Sequence, residues 1–504
     1  MTTHAPADFI VGDAAPGVAV HDVAAVNRKE TRQLYAERRK IYAKLAHGTF
    51  RNLKWIVMLV TLGIYYALPW IRWDRGPELP DQAVLVDVAN GRIFVGPIEI
   101  WPQELYYVTG LLVIGSLALF LVTAALGRVW CGYTCPQTVW TDLMIAVERF
   151  WQGDRNARIR LDKEPWGPAK IFKKSATHIS WLLISLLTGG AFVFYFRDAP
   201  TLLVEFLTGS APMIAYLFLG IFTATTYLLG AISREQVCIY MCPWPRIQGA
   251  MTDQHTMLVS YRPERGEPRG PARKGPDGTV DWSVRGDCID CKACVVVCPT
   301  GIDIRDGSQL ECIQCALCID ACDEIMTKIG RPTRLIAYDT IAKREASERG
   351  EHEPLKLLRP RTYLYAGLMA VVGLIMLVAF SLRTTLEVNV VGDRAPLYVP
   401  LKDGGFRNGY TVKILNKEHA NRSVKLRVTG LDGGRLRVLG FDTADPIIVV
   451  PTDDLREVRV FVTVPVASVP KLSPPSTSFQ IVVEDVAGEA RMVRSTVFQS
   501  PVRR

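Results

Sequence analysis

Residues 288–322 read CIDCKACVVVCPTGIDIRDGSQLECIQCALCIDAC and contain two copies of one cysteine pattern. Each copy has the spacing C-x2-C-x2-C-x3-C. The first copy consists of Cys288, Cys291, Cys294 and Cys298, and the second of Cys312, Cys315, Cys318 and Cys322. Eight thiols in two matching copies predict metal ligation. Structural zinc and a disulfide staple are the alternatives, but zinc needs only four ligands at looser spacing and disulfides need an oxidising compartment.

This spacing is that of a bacterial two-cluster iron–sulfur ferredoxin, in which three thiolates hold one cluster and the fourth reaches across to the other. The rule predicts one [4Fe–4S] cluster on Cys288, Cys291, Cys294 and Cys322, and a second on Cys298, Cys312, Cys315 and Cys318. The clusters would replace an apolar core that so short a segment cannot build. Pro299 follows the first copy, as is usual for this motif, whereas Asp323 follows the second. This departure puts only the conformation of the local turn in question.

Five stretches free of Asp, Glu, Lys and Arg predict a membrane protein. The 504-residue chain is 49% hydrophobic, and each stretch approaches the roughly 20 residues that cross a bilayer. The stretches are Trp55–Trp70, Leu105–Leu126, Ile179–Phe196, Ala211–Ile232 and Tyr363–Leu382. They predict a five-helix transmembrane bundle.

Basic residues flank these stretches unequally, and this asymmetry predicts the orientation. Nine Lys or Arg lie between Arg28 and Lys54, whereas only three lie from Arg72 to Gln103. The positive-inside rule therefore places the N-terminus and the ferredoxin segment in the cytoplasm and the C-terminus in the periplasm. The net charge of +9 lies beside the spans instead of on one face, so we do not expect a nucleic-acid partner.

The chain divides into five predicted parts. Residues 1–27 form a disordered cytoplasmic tail, 28–260 a four-span membrane domain, 261–361 a cytoplasmic ferredoxin-type domain, 362–382 the fifth span and 383–504 an exported domain. Segments such as SVKLRVTGL and EVRVFVTVP predict an immunoglobulin-like β-sandwich for the exported domain. We also expect an amphipathic helix from Arg28 to Phe50 and a hairpin turning at Asn90–Gly91.

A second cysteine motif, C-x3-C-P, follows both the second and the fourth span. It gives Cys131 and Cys135 in GRVWCGYTCPQTVW, and Cys238 and Cys242 in SREQVCIYMCPWPRIQ. The proline places each pair at a helix end or kink. Two pairs brought together would form a four-thiolate pocket for copper(I), zinc or another iron–sulfur centre. Small residues that close a helix bundle are the alternative interpretation.

Haem would require axial ligands at membrane depth, and the sequence argues against it. Of the seven histidines only His178 borders a span, and we expect it to be an interfacial residue. We expect His47 and His255 to lie at the surface. The chain has no phosphate-binding glycine motif, so its electrons must come from an external donor or a quinone.

Together, the motifs CGYTCPQTVW and CIYMCPWPRIQ, the two-cluster segment, the fifth span and the exported domain resemble the cytochrome c oxidase accessory protein family, CcoG, also called FixG or RdxA. The resemblance covers about residues 28–504. It implies a protein of the bacterial inner membrane, required for assembly of the cbb3-type cytochrome c oxidase, that reduces copper(II) to copper(I) for delivery to the oxidase. Oxidase subunits or copper-delivery proteins would be its partners. The implied copper or redox site is the set Cys131, Cys135, Cys238 and Cys242.

Two other functions stay open at this point. A quinol-oxidising membrane ferredoxin that feeds a respiratory reductase shares the C-x3-C-P repeat, and a non-catalytic scaffold for oxidase assembly would use its clusters structurally. The electron donor, the metal held by the C-x3-C-P cysteines and a homodimeric state are likewise left open.

Overall fold

The computed structural model describes residues 10–15, 18–27, 40–76, 79–272, 280–418, 420–441, 443, 445–452, 454–488 and 490–501. Among these, five helices are long and apolar enough to cross a membrane, which confirms the predicted bundle. They are Thr49–Trp70, Pro102–Leu126, Pro168–Val193, Met213–Ser233 and Pro360–Ser381. The chain forms two compact units, residues 1–376 and 377–504.

The N-terminal segment contains a β-hairpin of β1 (Ile10–Ala15) and β2 (Val18–His21). Ala15 and Val18 are buried against Ala272 and Ile289 of the ferredoxin segment, and the His21 N–H donates to the Cys291 carbonyl at 3.2 Å. The predicted disordered tail over residues 1–27 is therefore wrong for this hairpin. Two strands this short have no pattern of their own, and the ferredoxin surface supplies their partner.

The membrane part is built mainly from helices, with a small sheet between the first two spans. In chain order its elements are α1 (Thr49–Ala67), β3 (Val84–Asp87), β4 (Arg92–Val95), β5 (Ile98–Ile100), α2 (Tyr106–Leu126), α3 (Val129–Tyr133), α4 (Pro136–Gln152), α5 (Arg155–Lys163), α6 (Pro168–Val193), α7 (Ala199–Thr208), α8 (Met213–Thr226) and α9 (Trp244–Met251). A first π-helical segment, Tyr227–Ser233, continues α8, and a second one, Val237–Met241, follows it. The hairpin turn at Gly91 has φ +68°, as the sequence predicts, and β5 adds a third strand.

Helix α1 begins against the ferredoxin segment. The Asp320 carboxylate accepts hydrogen bonds from the Phe50 and Arg51 N–H groups at 3.2 and 2.7 Å, so it caps the free donors of the first turn. A Cβ on Gly48 would lie 2.5 Å from Asp320 Oδ1, which explains the glycine. Residues 40–47 are not helical, so the expected amphipathic helix is wrong there; residues 28–39 lie outside the described residues.

The ferredoxin segment pairs β6 (Leu258–Tyr261) with β7 (Ile336–Asp339). Between and after these strands lie α10 (Pro263–Gly266), α11 (Ala293–Val296), α12 (Leu317–Lys328) and α13 (Ile341–Glu348). Helix α11 ends before Pro299, because a proline disfavours helical geometry at the preceding cysteine. Helix α12 continues through Cys322, since Asp323 imposes no such limit. The helix α14 (Pro360–Ser381) follows.

The C-terminal unit is a β-sandwich. Its strands are β8 (Leu386–Gly392), β9 (Val399–Pro400), β10 (Phe406–Asn416), β11 (Arg422–Thr429), β12 (Arg435–Val438), β13 (Ile448–Val450), β14 (Leu455–Val464), β15 (Ser476–Asp485) and β16 (Arg491–Gln499). One antiparallel sheet has the order β12-β14-β10-β8, with β9 at β10, and the other has the order β13-β11-β15-β16. Alternate residues of both sheets, such as Val412, Val460 and Ile481, are fully buried between them, as the alternating pattern predicts.

Candidate electron-transfer and metal site

The structure places cysteines of the two ferredoxin copies next to one another. Burial, and then the neighbouring Cys291 and Cys288, raise the pKa of Cys322. Burial, and then the neighbouring Cys298, raise the pKa of Cys312 to about 12. One cavity is bordered by Cys298, Cys312, Cys315 and Cys318, and also by Cys294 of the first copy. The crossed assignment of ligands stays a prediction, and this is the placement that it requires.

The loops around these thiols have the same backbone conformation in both copies of the motif. The residues on either side of the second cysteine have positive φ in both copies: Asp290 and Lys292 in the first, Gln314 and Ala316 in the second. This conformation turns backbone N–H groups toward the sulfur atoms. The N–H groups of Ala293, Gln314 and Leu317 hydrogen-bond the thiols of Cys291, Cys312 and Cys315. Since hydrogen bonds to sulfur are a feature of iron–sulfur sites, these loops fit a cluster.

The first C-x3-C-P motif packs directly against the second ferredoxin copy. Cys131 lies on α3, and Cys135 precedes Pro136 at the start of α4. The Tyr133 hydroxyl donates to the Cys315 carbonyl at 3.2 Å. At Gly132 a Cβ would lie 2.8 Å from the Ile313 carbonyl oxygen, so only glycine permits this approach. The motif is therefore fixed against the loop that carries Cys315.

The second C-x3-C-P motif joins the first at the same place. Cys238 lies in the second π segment and is half-buried, whereas Cys242 ends that segment and is exposed. Cys131 and Cys238 pack in one apolar cluster with Cys315 and Cys318. Burial, and then Cys135, Cys131 and Cys242, raise the pKa of Cys238 to about 12. The structure thus brings the two cysteine pairs together beside the second ferredoxin set.

Ligand spacing distinguishes a cluster from a single ion. Within the described ranges, no three His, Cys, Asp or Glu side chains converge closely enough to hold one metal ion. The ferredoxin thiols share this property, because each thiolate of a cluster binds a different iron.

Buried charges behind the motifs are functional candidates that sequence reasoning missed. Glu148 lies 2.9 Å from Arg234 and 3.1 Å from Arg158. Although burial opposes ionisation, Arg234, Lys40 and Arg158 lower the pKa of Glu148 to about 2. Asp142 lies 2.9 Å from Arg51. The sequence signal that could have revealed these acids is their spacing. Asp142, Ile145 and Glu148 are three residues apart, so they lie on one face of α4.

Three histidines, His178, His47 and His255, had positions predicted from the sequence. His178 lies on α6, with its Nδ1 atom 2.8 Å from the Tyr227 hydroxyl and its ring edge-on to Trp181. His47 is exposed and His255 is half-buried.

Comparison with known families places all twelve cysteines inside iron–sulfur models. A 4Fe-4S dicluster domain matches residues 233–341, a 4Fe-4S binding domain matches residues 108–152, and the IG-like fold at the C-terminus of FixG matches residues 376–501. These matches confirm the predicted fold class. The second model contains Cys131 and Cys135, which the sequence assigned to a copper or redox pocket.

Three curated proteins resemble the chain over nearly its whole length. The nitrogen fixation protein FixG of Rhizobium meliloti is 47% identical over 95% of this chain and 96% of its own. Protein RdxB of Cereibacter sphaeroides is 50% identical, with 93% and 98% covered. Protein RdxA of the same organism is 47% identical, with 90% and 95% covered.

Proposed function

Because the chain belongs to the family of FixG, RdxA and RdxB, we propose that this membrane iron–sulfur protein is an oxidoreductase that reduces copper(II) to copper(I). When bound, its clusters supply single electrons, which is the number that this reduction consumes. The observation that carries the proposal is the packing of Cys131 and Cys238 against Cys315 and Cys318. Electrons that reach the second ferredoxin set are thus adjacent to the four-thiol site.

The four thiols are better ligands for the product, copper(I), than for the substrate, copper(II). Soft sulfur ligands favour copper(I), so binding at Cys131, Cys135, Cys238 and Cys242 lowers the free energy of the reduced ion relative to copper(II). The exposed Cys242 gives the ion a first contact, and the half-buried Cys238 lies next to the electron source. The step balances as one electron from the protein and one copper(II) giving one copper(I).

We further propose that the ferredoxin side of the protein faces the cytoplasm of a bacterial inner membrane, with residues 383–504 in the periplasm. The cap that Asp320 forms on α1 supports this orientation, since it places the basic end of the first span beside the ferredoxin. The copper(I) would serve assembly of a cbb3-type oxidase, with oxidase subunits or copper-delivery proteins as partners. The resemblance described above is the support for that role.

Copper reduction by pre-reduced protein tests the proposal. Anaerobic protein is reduced with dithionite, freed of excess reductant and mixed with copper(II), and copper(I) is read with a selective chromogenic chelator. We expect stoichiometric copper(I) from the wild type, and a loss of at least tenfold in rate for Cys131→Ser and for Cys238→Ser. Thr134→Ser, within the same motif, is the matched control. Equal rates for all four proteins would refute the function.

A second candidate function has its own support: the four thiols hold a third cluster and the protein is an electron conduit. The match of a 4Fe-4S binding domain to residues 108–152, whose cysteines are Cys131 and Cys135, favours it. Iron analysis of anaerobically purified protein separates the two functions, because two clusters give about eight irons per chain and three give about twelve.

A further inference from the structure

A cavity of about 230 Å³ lies where α4, α6 and the first π segment meet. Its walls include Glu148, Gln152, His178, Trp181, Ile232 and Arg234. Most of its lining, which also includes Lys40 and Lys174, is charged or polar, and Trp181 and Ile232 add an aromatic and an aliphatic surface. Small-molecule sites combine an apolar surface with a few polar groups that orient the ligand, and this cavity offers both.

The cavity lies at the boundary between the aqueous and the apolar part of the bundle. Lys174 lies near the polar start of α6, and His178 follows one turn, or about 6 Å, deeper. Beyond it, Leu182 and Leu183 are 47% and 56% exposed on the surface of a candidate span, where lipid would cover them. Ile232 borders the cavity and is itself partly exposed. A lipid-soluble molecule can therefore reach the cavity from the membrane.

The polar groups of the cavity favour an uncharged ligand with hydroxyl groups. The cations of the lining are already paired. Lys174 and Lys40 lie 2.5 and 2.7 Å from Asp162, and Arg234 lies 2.9 Å from Glu148. His178 uses Nδ1 on Tyr227, and its Nε2 atom has no hydrogen-bond partner among the residues that the structure describes. In the neutral tautomer whose Nδ1–H donates to the Tyr227 hydroxyl, Nε2 is free to accept a proton from a ligand hydroxyl group. Ionisable residues at membrane depth are functional candidates for this reason.

A chain of shared walls connects this cavity to the thiols. Arg234 also borders a second cavity of about 40 Å³, which Cys238, Pro299 and Thr300 line as well. The Thr300 hydroxyl lies 3.3 Å from the sulfur of Cys298. Pro299, Thr300 and Ile313 in turn border the cavity of the second ferredoxin set. The first cavity is thus continuous, through packed residues, with both cysteine sites.

We propose that this cavity binds a membrane quinol and is the site at which electrons enter the protein. The inference rests on the proposed function, since a copper(II) reductase consumes electrons and needs a donor. Oxidation of one quinol to quinone breaks two O–H bonds and releases two protons and two electrons. His178 Nε2 takes one proton, and water at the polar mouth near Lys174 takes the other. The two electrons would leave singly, because each of the two ferredoxin sets would hold a cluster that accepts one electron.

Binding of a short-chain ubiquinone to the full-length protein in detergent, measured by equilibrium dialysis, tests the site directly. We expect His178→Ala to weaken binding at least tenfold, and His255→Ala to leave it unchanged. Ile232→Trp, which fills the mouth, should weaken binding similarly. Leu228→Trp is the matched control, because Leu228 is 52% exposed on the same helical run but does not border the cavity. Normal dithionite-reducible cluster absorbance shows that each variant is folded.

The second readout is the loss of cluster absorbance when short-chain ubiquinol is added without oxygen. We expect the variants to rank in this assay as they do in ubiquinone binding. Unchanged ubiquinone binding in both His178→Ala and Ile232→Trp would overturn the proposal. Weakened retention of phosphatidylglycerol with unchanged ubiquinone binding would also overturn it, because the cavity would then be a lipid headgroup site. If quinol bleaches the clusters but dithionite-reduced protein does not reduce copper(II), the proposed function fails and the quinol site stands.

Discussion

The two C-x3-C-P motifs have identical spacing, yet their surroundings differ. In the first, Tyr133 is 6% exposed and hydrogen-bonds the Cys315 carbonyl, and Gly132 touches the same loop. In the second, the equivalent Tyr240 is 53% exposed and Cys242 is exposed. Cysteine spacing alone therefore does not distinguish the two pairs, whereas the residues between the cysteines give each pair a different environment. The first pair is fixed against the ferredoxin segment, and in our proposal the exposed second pair is where the copper ion arrives.

Loss of a whole cluster is the largest effect we predict, and it tests which ferredoxin set the motifs adjoin. Cys298→Ala should remove the cluster that also uses Cys312, Cys315 and Cys318, although Cys298 lies in the first copy. Iron content should fall by about four per chain. Copper(II) reduction should fall further than in Cys322→Ala, because the motifs pack against Cys315 and Cys318. Electron paramagnetic resonance that showed loss of the other cluster would contradict the crossed assignment.

Glu148 joins the two motifs, since it lies on the helix after the first and pairs with Arg234 before the second. Glu148→Gln leaves two buried guanidinium groups without a counter-charge and should cost about 3–5 kcal/mol of stability. The wild-type contribution should be complete above pH 4.5 and fall as the pH decreases toward 2, because the folded pKa is depressed. Thermal loss of cluster absorbance against pH measures both effects. The exposed Glu164→Gln should change stability by less than about 0.5 kcal/mol.

Gly132 tests the close approach of the first motif. Gly132→Ala places a Cβ 2.8 Å from the Ile313 carbonyl oxygen, and we expect a loss of about 1–3 kcal/mol. Gly220→Ala is the control, because a Cβ there meets nothing within 4 Å. Equal melting temperatures for both variants would mean that the first motif does not need this contact.

The paired tyrosines give the smallest predicted effect. Tyr133→Phe removes the hydrogen bond to the Cys315 carbonyl and should cost about 1 kcal/mol. Tyr240→Phe, at the equivalent exposed position, should be neutral within about 0.5 kcal/mol. A shift in the reduction potential of the second cluster is expected for Tyr133→Phe alone, and equal potentials in the two variants would remove the distinction between the motifs.

The sequence predicted those features that depend on local pattern. Charge-free stretches gave the five spans, alternation gave the sandwich, and prolines placed Cys135 and Cys242 at helix ends. Features that depend on a distant partner were missed or wrong. The hairpin Ile10–Ala15 and Val18–His21 exists because a ferredoxin surface covers it. Glu148 resembles a solvated charge in sequence, and only the fold reveals the two arginines that neutralise it.

The repeated motif suggested the hypothesis that Cys131 and Cys238 pack together. No residue between the two motifs specifies this packing through local structure. It arises because α3 and the second π segment both meet the loop that carries Cys315. The presence of Asp323 where a proline is usual had, by contrast, a consequence that the local sequence alone decides. Its consequence, the continuation of α12 past Cys322, follows from the absence of a proline alone.

A double-mutant cycle on copper(I) binding tests most directly whether the two motifs form one site. Cys135→Ser and Cys242→Ser, alone and together, are titrated with copper(I) against a competing chelator, with cluster absorbance as the control for folding. We predict that each single change abolishes tight binding and that the double change adds little, because ligands of one ion act as a unit. Losses that add as independent sites would, or normal copper(I) binding in both single variants, would contradict the account.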